Sequence, residues 1–175
     1  MKLKASLLIL AAIALSLGVL IDQRINLFLL VIATSEPAPL LEPLDEGINA
    51  TWFDDYYTVQ AIDEKTFAIG EPRYFQKNFN YLIVGDSRAV VFDAGTGQRD
   101  IRAVVKTLTD LPITFIPSHL HYDHIGNDIF FDHTALIDLP HLKTRASNNV
   151  LTLTRIEHLG QAEGYGPATL RINQW

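Results

Sequence analysis

Three histidines and an aspartate stand close together beyond the middle of the chain. Residues 119–124 read His-Leu-His-Tyr-Asp-His and hold three of the six histidines among 175 residues. Imidazole and carboxylate groups are the usual ligands of first-row metal ions when thiolate is absent. Because the chain contains no cysteine, this cluster predicts a metal centre built from His119, His121, Asp123 and His124.

The spacing within this cluster indicates how its members divide. Side chains two residues apart at an extended strand end lie on the same side, so His119 and His121 can share one ion. Asp123 and His124 follow a bend and can face a second ion. Gly126 lets the chain turn away from this crowded region.

Strands and a helix must position the cluster. Residues 89–92 and 113–116 are apolar and rich in β-branched side chains, which predicts two buried strands. Between them, residues 100–111 place apolar side chains at helical spacing, which predicts an amphipathic helix. This order implies a crossover and an α/β layer. Upstream, residues 58–69 and 80–92 each predict a β-hairpin.

These features together resemble the metallo-β-lactamase-fold hydrolases. The resemblance rests on the His-x-His-x-Asp-His motif after an apolar strand, and on the sequence Phe-Asp-Ala-Gly-Thr-Gly at residues 92–97. It covers roughly residues 58–140. It implies an α/β fold, the N-terminal part of a four-layer αββα sandwich, with a mononuclear or dinuclear zinc centre at the sheet edge.

The resemblance also implies roles for individual residues. His119 and His121 would bind the first zinc ion, and Asp123 and His124 the second. Asp123 would also act in catalysis by orienting the nucleophile or moving its proton, and Asp93 would support the site. Bound zinc lowers the pKa of water to about 7. The implied reaction is attack of a metal-bound hydroxide on a small-molecule ester, lactone, thioester or β-lactam.

Ligands from later family motifs are not apparent in this sequence. The remaining downstream histidines lack the Gly-His-Thr-like setting of the next ligand, and we expect them to be surface or loop residues; they are His133, His141 and His158. We expect residues 57–175 to be an incomplete metallo-β-lactamase-like domain. An alternative hypothesis is a non-catalytic, membrane-tethered protein that binds metal or a partner.

The N-terminal segment predicts contact with a membrane. After Lys2 and Lys4, residues 5–21 contain no charged side chain, a pattern typical of a signal or anchor. We expect residues 1–34 to form an uncleaved hydrophobic helix, with a cleaved signal or a buried apolar helix as alternatives. Residues 35–56, rich in proline and acidic side chains, predict an extended linker. The domain would then be exported, facing the periplasm or exterior.

The charge balance argues against nucleic acid as a partner. Lys and Arg total 14 against 20 Asp and Glu, a formal net charge of −6. Proteins that bind nucleic acids neutralise phosphates with a basic surface, so a nuclease of the same fold is disfavoured. The lack of cysteine excludes a disulfide scaffold and a Cys nucleophile.

Overall fold

The chain divides into two compact units, Met1–Glu36 and Pro37–Trp175. The computed structural model describes residues 9–10, 13–18, 39–43, 49–153, 157 and 169–171. In the first unit, residues 9–10 and 13–18 are helical. Across the described residues, no helix is both long and apolar enough to cross a membrane. The hydrophobic helix predicted over residues 1–34 lies largely outside the described residues and is not supported by them.

A six-stranded sheet forms the main layer of the second unit. Its strands are β1 (Ala50–Trp52), β2 (Thr58–Ala61), β3 (Thr66–Gly70), β4 (Phe79–Val84), β5 (Ala89–Phe92) and β6 (Ile113–Ile116). They lie side by side in sequence order. Neighbours are antiparallel except β5 and β6, which are parallel. Both predicted hairpins are confirmed, as β2–β3 and β4–β5.

The sheet begins earlier in the chain than the strand patterns indicate. The sequence predicts an extended linker over residues 35–56, yet β1 lies within this segment and pairs with β2. Tyr56 is fully buried, and the N–H of Leu41 donates to the carbonyl of Arg73 at 2.7 Å. A short edge strand and a solvated extended linker share the same local composition, so the sequence alone does not separate them.

The connection from β5 to β6 runs through helix α1 (Arg102–Leu108). It is shorter than the predicted helix because the backbone becomes extended at Thr109. Val104 and Val105 of α1 lie in the same buried core cluster as Leu82 and Val91. The predicted crossover is confirmed. Because β5 and β6 are parallel neighbours, their carboxyl ends open onto the same edge of the sheet.

Short elements follow β6. They are α2 (Tyr122–Ile125), a 3-10 helix (Asp128–Phe130), α3 (Pro140–Arg145), and the strands β7 (Ala146–Ser147), β8 (Val150–Thr152) and β9 (Thr169–Arg171). The last three strands form a small antiparallel sheet. The predicted mixed α/β class is confirmed, and the six-stranded sheet fits one half of the αββα sandwich. The four-layer arrangement stays a prediction.

Strand β4 separates a buried face of the main sheet from an accessible one. Asn80 and Leu82 are buried. Phe79, Tyr81 and Ile83, which alternate with them, are 50, 37 and 46% exposed. The sheet face opposite the α1 side is therefore apolar and accessible at β4.

Glu71, directly after β3, is an acid with no exposed surface. Each of its carboxylate oxygens lies 3.3 Å from the N–H of Thr96, which donates to them. Burial raises the pKa of Glu71 to about 8; the Thr96 amide opposes this shift, and the charge of Asp123 adds to it. Glu71 is therefore mostly neutral at pH 7 in the folded protein.

We expect Glu71 to make the folded protein less stable as the pH rises. Its folded pKa of about 8 exceeds the ordinary value of 4.5, so stability present below pH 4.5 is lost as the pH approaches 8. Glu71→Gln removes this loss. In urea unfolding, the free energy of unfolding of the variant should rise relative to that of wild type by at most about 1.4 kcal/mol per pH unit in that window. The exposed Glu64→Gln is the control, and a pH-independent difference for Glu71→Gln contradicts the prediction.

Candidate metal centre

The predicted cluster lies at the sheet edge where β5 and β6 end. His119 lies in a bend three residues after the end of β6, and His121 is the extended residue immediately before α2, with φ −82° and ψ 148°. Asp123 and His124 belong to α2 itself. The bend predicted from the spacing is therefore the first turn of a short helix, which returns His124 to within 4.1 Å of the His119 ring.

His119 and His121 face each other with nitrogens converging. Nε2 of His119 lies 3.1 Å from Nδ1 of His121, and the two rings meet edge to face. Two nitrogen ligands of a tetrahedral zinc ion, each about 2.0–2.1 Å from the metal, lie about 3.3 Å apart. The spacing of this pair thus fits two ligands of one ion.

His124 and Asp123 form the other half of the cluster. Nε2 of His124 lies 3.5 Å from Oδ2 of Asp123, and Asp123 is buried. All four predicted ligands are therefore neighbours. In the described part of the chain, however, no three or more His, Asp or Glu side chains form a group that could hold a metal ion. The donor types and the pairwise spacings fit zinc. For three of these side chains to bind the same ion, however, their side-chain torsion angles must change.

Asp93 orients the cluster from behind. Its carboxylate accepts hydrogen bonds from the N–H of Ser118 at 2.7 Å, from the Ser118 hydroxyl at 2.9 Å, and from Nδ1 of His124 at 2.8 Å. Asp93 directly follows β5 with φ +61°, a left-handed conformation in which aspartate is enriched among non-glycine residues. A carboxylate bonded to the far nitrogen of a ligand histidine is the usual outer-shell support of a metal site.

The hydrogen bonds also determine which ring nitrogens face the cluster. Because the Ser118 hydroxyl donates to Asp93, its oxygen accepts from Nδ1 of His119 at 2.9 Å. Nδ1 of His124 likewise donates to Asp93. Both rings therefore direct Nε2 toward the cluster. Ser118 is not among the site residues predicted from the sequence. Its position directly before His119 is the feature of the sequence that could have indicated its role.

The pKa values of His119 and His124, the two imidazoles next to this network, are shifted in opposite directions. Burial would raise the pKa of Asp93, but the hydrogen bonds from His124 and Ser118 lower it below its ordinary value. The bond to Asp93 in turn raises the pKa of His124. Burial, together with repulsion from the other two histidines, lowers the pKa of His119. A metal ion therefore finds His119 readily deprotonated and competes with a proton at His124.

Gly126 is required for close packing. Its conformation is right-handed helical, so it needs no unusual φ, but a Cβ there would overlap the main chain of Thr96 and Gly97. The N–H of Ala94 also donates to the carbonyl of His124 at 2.8 Å. The loop after β5 thus holds α2 against the end of the sheet.

Two of the remaining histidines, His133 and His141, lie outside this cluster of four. His133 and His141 are exposed, and His158 lies outside the described residues. His141 lines a cavity of about 290 Å3 that His119 and His121 also line.

Comparison with known families agrees with this geometry. Residues 75–135 match the family model of the Metallo-beta-lactamase superfamily. The matched range begins before β4 and ends beyond the cluster, so it includes every predicted ligand. This match supports a metallo-β-lactamase fold for the part of the chain that carries the cluster. A search of curated proteins gives no match to it.

Loss of the Ser118 hydroxyl should weaken metal binding. Ser118→Ala removes one hydrogen bond to Asp93 and the acceptor for Nδ1 of His119, and outer-shell losses of this kind cost about 10–100-fold in metal affinity. Competition with a chromogenic zinc chelator measures the change. Ser87→Ala, in the exposed β4–β5 turn, is the matched control. Equal zinc affinity for Ser118→Ala and wild type would be the contrary result.

Proposed function

We propose that this chain is a zinc-dependent hydrolase that cleaves carbonyl compounds. The family match indicates a metal-dependent hydrolase at most. The observation that carries the proposal is the convergence of His119 Nε2 and His121 Nδ1 at 3.1 Å, next to His124 and Asp123. A site with imidazole and carboxylate groups and no thiolate suits zinc, although other divalent metals accept the same donors.

Each side chain of the cluster has a defined task in this proposal. His119 and His121 would hold a first ion, and His124 and Asp123 a second. Bound zinc supplies Lewis acidity, which lowers the pKa of water to about 7 and polarises the carbonyl under attack. Oδ2 of Asp123 would accept the proton of the attacking water. Asp93 would keep the imidazole of His124 in the required tautomer.

The substrate would be a small molecule with an ester, lactone, thioester or β-lactam carbonyl. All four groups pass through a tetrahedral state with negative charge on oxygen, which a cationic centre stabilises. The cluster lies beside an open cavity lined by His119 and His121, which supports access by a small molecule.

The test of this function measures metal content and hydrolysis together. The full chain, purified in mild detergent, should hold about one to two zinc ions and hydrolyse at least one of an aryl acetate, an aryl thioester, a lactone and a chromogenic cephalosporin. His121→Ala should lose metal and at least about 100-fold in rate, because a first-ion ligand is removed. His133→Ala, an exposed histidine outside the cluster, should match wild type.

A second candidate function is metal binding without catalysis. The lack of a ready group of three ligands among the described residues favours it. The same experiment separates the two. Zinc that depends on His121, with no hydrolysis of any compound in the panel, supports the binding protein. Failure to bind zinc contradicts both.

A further inference from the structure

A cavity of about 290 Å3 lies directly beside the two facing histidines. One wall is the segment 117–121, which carries His119 and His121. The opposite wall consists of side chains between residues 136 and 145, together with Glu157. A molecule in this cavity therefore lies next to the candidate ligands.

Five aliphatic side chains line the cavity: Leu120, Leu136, Ile137, Leu139 and Leu142. Leu139 and Ile137 are 39 and 48% exposed, so apolar surface extends to the rim. Ligand sites are typically apolar with a few polar groups that fix orientation. Here the polar groups are Ser118, His119 and His121 on the histidine wall and His141, Arg145 and Glu157 on the other.

Helix α3 contributes Leu142 to the aliphatic wall. Pro140 occupies its first turn, where the fixed φ of proline favours helix initiation. Lys143 and Arg145 lie in its last turn, where positive charge is favourable. Leu142 packs against the buried core cluster. The position of this wall is therefore set by the fold.

Arg145 contributes a cation to the cavity wall, but its charge is compensated. Its Nη1 and Nη2 donate to the two carboxylate oxygens of Glu157 at 2.9 and 2.7 Å, and Nη2 also donates to the Thr152 carbonyl at 3.0 Å. The Arg145 and Glu157 side chains are only 31 and 13% exposed. A bidentate pair of this kind compensates the charge of the guanidinium and so weakens its attraction for an anionic ligand.

We propose that this cavity binds the neutral aliphatic acyl chain of an ester, thioester or lactone substrate. The inference rests on the proposed hydrolase function, because it places the reacting carbonyl at His119 and His121 and the acyl chain among the leucines. In this wall, a substrate with a carboxylate near its reacting carbonyl, as in a cephalosporin, would meet an arginine whose charge Glu157 already compensates.

The first test measures binding without hydrolysis. A neutral octanamide carrying an aliphatic diazirine is photo-crosslinked to the zinc-loaded full chain, and the labelled peptides are mapped by mass spectrometry. Label within residues 136–145 that excess octanamide displaces is the expected result. Leu139→Asp should reduce it by about tenfold, because a charge at the rim disfavours the apolar chain. Ile83→Asp, an equally exposed aliphatic position on β4, should keep it. Label that is insensitive to Leu139→Asp overturns the proposal.

The second test measures chain-length dependence. From p-nitrophenyl acetate to hexanoate, kcat/KM should rise about fourfold for each methylene that enters the cavity. Leu139→Asp should flatten this series, and Ile83→Asp should not. If no ester is hydrolysed, the proposed function fails and the crosslinking result alone decides on the cavity. Hydrolysis without chain-length dependence overturns the acyl-chain assignment while the hydrolase function stands.

The third test uncovers the charge of Arg145. Glu157→Gln leaves a cation in the wall, so hydrolysis of the p-nitrophenyl half-ester of glutaric acid should rise about tenfold relative to the neutral p-nitrophenyl pentanoate. An unchanged ratio in a folded variant contradicts charge compensation. Circular dichroism reports the fold, and if Glu157→Gln does not fold, the Leu139→Asp series decides.

Discussion

The carboxylate of Asp93 accepts hydrogen bonds from two different elements at the edge of the main sheet, and the geometry of the histidine cluster depends on it. Ser118, which follows β6, donates both its N–H and its hydroxyl, and His124 donates from α2. Asp93 and Ser118 are 25 positions apart and meet because β5 and β6 are parallel neighbours. The crossover through α1 is therefore a precondition of the site.

Two acids in this region show how burial and donated hydrogen bonds together set the charge of a carboxylate. Asp93 receives three short hydrogen bonds and stays ionised, with its pKa below the ordinary value. Glu71 has no exposed surface and lies 3.3 Å from the Thr96 N–H, and burial raises its pKa to about 8. Hydrogen bonds to a charged group contribute about 1.5–3 kcal/mol each. Those at Asp93 therefore offset its left-handed backbone, a strain of about 1–3 kcal/mol.

The sequence predicts the local elements well because each has a local cause. Alternating apolar residues and short turns specify the β2–β3 and β4–β5 hairpins, and helical spacing specifies α1. The density of histidine after β6 identifies the candidate ligands. The residues that support the site have no such local signal. The Asp93–Ser118 contact depends on the register of a parallel strand pair. Glutamate is usually charged and exposed, so the sequence around Glu71 does not indicate that this residue is buried. Strand β1, only three residues long, lacks a readable alternation.

The surroundings of the cluster are unequal on its two sides. On the side of the β5 loop, the main chains of Gly126, Thr96 and Gly97 are in direct contact, and a Cβ added at Gly97 or Gly126 would overlap them. On the side of α3, exposed aliphatic residues such as Leu139 line an open space. Amino-acid substitutions should therefore be poorly tolerated on the side of the β5 loop and better tolerated on the side of α3. Substitutions at these aliphatic positions can therefore reshape the cavity while the main-chain contact that holds α2 is preserved.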